Sequence, residues 1–99
     1  MVVGTLRCDV LLGDVHSLKE KRAVVRPIVA EVRRRYEVAA AETGKQDLYR
    51  RAELSVALVS SEHGHVREVL EACERLIAGR PEIEVLSTRM RVLDDEDLP

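Results

Sequence analysis

The chain has 99 residues, 45% apolar and 34% charged, a composition that fits one globular domain and excludes a disordered segment. The formal net charge is −2, yet residues 1–51 hold 11 Lys or Arg against 7 Asp or Glu, while residues 52–99 hold 5 against 11. Such asymmetry points to a charged partner on one side, without the strongly basic total of a dedicated nucleic-acid protein.

Residues 2–12 alternate, with Gly4, Leu6, Cys8, Val10 and Leu12 on one face and Thr5, Arg7 and Asp9 on the other, as in a half-buried strand. Gly13-Asp14 breaks the pattern. Ser17 with Glu20 three residues on reads as a capping box, which satisfies two backbone donors left open at a helix start. Leu18, Val25, Ile28, Val29, Val32 and Tyr36 then recur at helical spacing. Pro27 lies near the solvent side, so a kink is expected there rather than an end.

A short alanine-rich strand, at an edge or in a tightly covered position, is expected near Tyr36–Glu42, and Thr43-Gly44-Lys45-Gln46-Asp47 reads as a hairpin connection. Residues 50–60 alternate again, with Ala52, Leu54, Val56 and Leu58 inward. Ser60 or Ser61 is expected to cap a second helix carrying the stripe Val66, Val69, Leu70, Cys73, Leu76 and Ile77, stopped by Gly79 and Pro81. The last strand covers Ile83–Leu93, and a bulge between Val85 and Leu86 would reconcile its two apolar phases. The acidic Asp94–Asp97 is expected to fray.

The order β-α-β-β-α-β predicts an α+β, ferredoxin-like domain over residues 1–93, followed by an acidic tail over 94–99. Right-handed crossovers give a four-stranded antiparallel sheet of order 4-1-3-2, with both helices on one face. This topology carries the start of the first helix and the hairpin to the same end of the molecule, with Arg80 nearby. The candidate nucleic-acid or anion-binding set is Lys19, Lys21, Arg22, Arg26, Gln46, Tyr49, Arg50 and Arg51. At about 100° per residue, Lys19, Arg22, Arg26 and Arg33 line one flank of the helix, while Lys21 and Arg22 lie at the margins of the apolar stripe. For those two, snorkelling stems carry as much weight as a binding role.

Other chemistries find little support. Cys8 and Cys73 fall on apolar phases and read as reduced core residues. His63 and His65 are two apart, so on a helix they point to opposite sides and could chelate only from a loop, and they lack a third ligand. There is no Ser-His-Asp spacing, glycine-rich phosphate loop or zinc signature, so no catalytic residue, metal or cofactor is expected. Acylphosphatases share the topology but need an asparagine, which is missing. Heavy-metal carriers of this fold need paired cysteines where Gly13-Asp14-Val15-His16 stands. RNA-recognition motifs stack bases on mid-strand aromatics, whereas Tyr36 and Tyr49 are the only aromatics. The short apolar runs exclude a membrane span, and a start without a basic leader fits a cytoplasmic protein. Thirteen Arg against three Lys, no Asn and one Gln is a thermophile-like balance.

Two segments carry a family resemblance: His16-Ser17-Leu18-Lys19-Glu20-Lys21-Arg22 with Val24-Val25, and Glu42 through Leu54 with Gly44, Gln46-Asp47-Leu48-Tyr49, Arg51 and Ala52. With Val59-Ser60, they make the chain resemble the YlxP-like family of small bacterial proteins. Tyr49 and Arg50 depart from the tryptophan and glutamine usual there. The resemblance implies a ferredoxin-like fold, no established enzyme activity, and a setting near translation initiation and ribosome maturation. The leading expectation is a non-enzymatic protein that contacts RNA or a ribonucleoprotein. The alternatives are a homodimer formed through the open sheet face, and a small-anion binder at the start of the first helix.

Overall fold

The computed structural model describes residues 1–99 throughout. Its elements are β1 (Val2–Leu12), α1 (Leu18–Tyr36), β2 (Ala39–Gly44), β3 (Arg51–Ser60), α2 (His63–Ala78) and β4 (Ile83–Leu93). The sheet order is β2-β3-β1-β4, every pair antiparallel, which is the expected ferredoxin-like arrangement read from its other edge.

The alternation of β1 is kept residue for residue: Leu6, Cys8, Val10 and Leu12 are fully buried. They meet Ala52, Leu54 and Val56 of β3, the stripe Val25, Ile28, Val29 and Val32 of α1, and Val66, Leu70, Cys73 and Ile77 of α2. Gly4 allows the closest helix–sheet approach, since a Cβ there would lie 2.2 Å from Cγ1 of Val66. The bulge falls where the two apolar phases of β4 collide. Val85 pairs with Val10 and Ser87 with Asp9, so Leu86 is the extra residue and points out half-exposed. The inward set resumes with Met90 opposite Leu6.

Several boundaries differ from expectation. Ser17 does cap α1, its hydroxyl accepting from the Glu20 amide at 3.1 Å, but the Glu20 carboxylate accepts from the His16 amide rather than from that of Ser17. The helix passes Pro27, which sits exposed on its outer side, and runs unbroken to Tyr36. Glu37 then closes it in the left-handed region at φ 53°, and this delays β2 to Ala39. Neither Ser60 nor Ser61 caps α2. β3 continues through Ser60, so Glu62 becomes the N-cap, with no side-chain bond to the helix. The acidic end closes in a 3-10 turn over Asp95–Asp97, capped by Asp94, with the Met1 ammonium 3.0 Å from Asp95. No helix is long and apolar enough to cross a membrane.

Candidate functional site

The first turn of α1 and the β2–β3 hairpin do meet, and the contact is made from inside. Lys21 occupies the core-facing position of that turn, and its side chain is almost wholly enclosed at 1% exposure for the residue. Its ammonium donates to the Lys45 carbonyl at 2.8 Å and lies 2.7 Å from Oε2 of Glu42. A buried ammonium must be paired, and Glu42 of β2 and Lys45 just beyond it supply both partners. Lys21 is thus a tether between helix and hairpin, and its charge does not reach a partner at the surface.

The remaining members of the candidate set divide in the same way. Arg51 extends over the open sheet face, where its guanidinium donates to Oδ2 of Asp9 at 2.6 Å. Lys45 takes the other oxygen of that carboxylate at 2.7 Å. Lys45 first, and then Arg51, hold the Asp9 carboxyl below its ordinary value of 3.8, against the opposing effect of burial. Arg50 is exposed, but its Nε donates to the carbonyls of Leu12 and Gly13 and staples the end of β1. Arg50 and Arg51, adjacent in β3 and its approach, thus point to different sides, and each is held by bonds within the chain. Arg80 is not part of the cluster either; it bridges Glu31 and Glu82.

Lys19, Arg22 and Arg26 are exposed and form no ion pair or hydrogen bond within the chain. Arg33, outside the sequence-derived set, joins them. Its Nε donates to the Ala40 carbonyl at 2.8 Å, and no carboxylate lies within ion-pair distance. A groove of about 490 Å³ runs between α1 and β2, with Arg22, Arg26 and Arg33 on the helix wall. Glu42, Gln46 and Asp47 form the facing wall. Glu42 is neutralised by Lys21, and the Gln46 amide donates to the Glu42 carbonyl, so Asp47 is the one acid there without a cation. Leu48 and Tyr49 stand half-exposed in the hairpin beyond the groove. Arg33 was legible as a flank residue in the helical wheel; its place in the groove depends on where β2 begins.

Residues 3–90 match the family DUF503, described as a protein of unknown function. The chain is also 35% identical over 88 residues to the "Uncharacterized protein YlxP" of Bacillus subtilis strain 168, an alignment covering 89% of this chain and 96% of that one.

Proposed function

The chain belongs to the DUF503 family, with a YlxP relative across most of its length, and from that premise we propose that it is a non-enzymatic RNA-binding protein. The reading rests on one observation: Lys19, Arg22, Arg26 and Arg33 share a flank of α1, and none has a carboxylate within ion-pair distance, although Asp47 stands across the groove. From Lys19 to Arg33 the helix advances about 21 Å, a line of cations long enough to follow several backbone phosphates. Three of the four are arginines, whose planar forks bind phosphate oxygens in pairs. Gln46 and Asp47 across the groove offer polar atoms to a base edge, and Tyr49 offers a ring for stacking.

The test is fluorescence anisotropy with a labelled stem-loop RNA at several salt concentrations. With three to four phosphate contacts, log Kd should rise with log salt at a slope of about 3. Arg22→Ala with Arg26→Ala should weaken binding by about tenfold or more, whereas Arg51→Ala should leave it near the parent value. Competition with poly-glutamate separates RNA from an acidic protein partner: displacement as effective as by RNA would transfer the flank to a protein ligand. A salt-insensitive affinity, or one that depends on Arg51 and not Arg22, would refute the RNA reading.

A further inference from the structure

On the open face of the sheet, away from both helices, Arg7 of β1 stands directly opposite Arg89 of β4, and Arg91 lies opposite Thr5, the next outward residue along β1. Like charges placed opposite each other across an antiparallel pair are destabilising. Little offsets them here. Glu53 reaches Arg7 only at 3.7 Å, and Arg89 and Arg91 have no ion pair. Asp9 of this face is taken up by Lys45 and Arg51, and the unpaired Glu84, opposite Leu11, lies outside the trough lining. The same three arginines border a shallow trough of about 510 Å³. Its other end, toward the β2 edge of the same face, is floored by Ala39, Ala41 and Ala57. The trough is thus cationic over β1 and β4, and over β2 and β3 it is a run of alanines bordered by the hydrogen-bonded hydroxyls of Thr43 and Ser55. Three strand spacings, about 14 Å, separate its extreme strands.

We propose that this trough is a binding site for a phosphorylated small molecule with a flat ring, the chemistry of a mononucleotide. The phosphates bridge Arg7, Arg89 and Arg91 and relieve their repulsion, while the ring lies on the alanine floor. Small side chains keep that floor level enough for a planar body, and guanidinium forks fit phosphate oxygens. A second copy of the chain fits less well. Two open faces stacked about a two-fold axis bring arginine towards arginine, while the unpaired Glu84 of that face stands opposite Leu11, four residues along β1 from Arg7.

The site is distinct from the α1 groove, and its test is independent of RNA binding. The four common ribonucleoside diphosphates, their free nucleosides and inorganic pyrophosphate are titrated by calorimetry and thermal shift at low salt. At least one diphosphate should bind once per chain and raise the Tm, with pyrophosphate and the matching nucleoside each about tenfold weaker or more. Arg89→Gln should lose that response while its ligand-free Tm stays at or above the parent value, and Ala41→Glu should lose it through the floor. Three results would overturn the proposal: no diphosphate binding at millimolar concentration, pyrophosphate binding as well as the best diphosphate, or an Arg89→Gln variant that responds like the parent. A concentration-dependent dimer that Arg89→Gln dissociates would instead assign the face to a second copy.

Discussion

Asp9 and Lys21 each hold the hairpin to the rest of the molecule, from opposite sides of the sheet. The Asp9 carboxyl is stabilised in its charged form by Lys45 and then Arg51, so its pKa is lower folded than unfolded. A depressed carboxyl contributes stability that is complete above its unfolded pKa and is lost as pH falls through the folded one. Asp9→Asn should therefore lower the Tm at neutral pH, and the gap to the parent should close as the pH is taken below about 3.8. Lys21→Met removes the ammonium and leaves Glu42, one-fifth exposed, without its cation. The expected loss in urea unfolding is about 2–3 kcal/mol, much of it regained in Lys21→Met with Glu42→Leu, where no charge is left stranded. The cysteines behave otherwise. Burial first, and then Glu74 and Cys73, push the Cys8 thiol up to about 12, and burial pushes that of Cys73 up to about 11. Neither should react with iodoacetamide at neutral pH until the chain unfolds.

Among the elements, the packing of α2 against β1 depends most on a single residue. Gly4→Ala would drive a methyl group into Val66 and Leu70, at ideal separations of 2.2 and 2.9 Å, and should cost about 1–3 kcal/mol in stability. The limits of β1 and β4 were legible because β1 alternates cleanly, β4 alternates within each of its two phases, and Gly13 and Pro81 punctuate the chain. Even the bulge at Leu86 could be read, since no unbroken strand sends both Val85 and Met90 inward. Three alanines gave β2 no phase of its own, so its start was fixed by where α1 unwinds at Glu37. The α2 start misled for a related reason: Ser60 has good capping chemistry but is still paired with Val2. The candidate site was half legible. Helical geometry gathered Lys19, Arg22, Arg26 and Arg33, whereas the partners of Lys21 and Arg51 come from strands 21 and 42 residues away in sequence and leave no local pattern.

Over the whole molecule, the free cations of the α1 start and the acidic turn lie at opposite ends of β1, which at 11 residues spans about 33 Å. The turn is held near Met1 and the start of α2, with His63 Nε2 3.7 Å from Asp94. At physiological ionic strength the screening length is about 8 Å, so under the proposed RNA-binding role the turn should not influence RNA arriving at the α1 start. At low salt the screening length grows to about 30 Å and the repulsion becomes felt. Replacing Asp95, Glu96 and Asp97 by their amides should then speed RNA association about two- to fivefold, an advantage that disappears at physiological salt in stopped-flow measurements.

The chain has three lysines, and their surroundings differ widely: Lys19 is in solvent, Lys45 is partly covered, and Lys21 is sealed beneath the hairpin. An acylating reagent supplied in limiting pulses should mark Lys19 at once, while Lys21 should acquire label only when the hairpin lifts. Peptide mass mapping of that delay would time the opening of the hairpin in the unmodified protein, with no introduced probe.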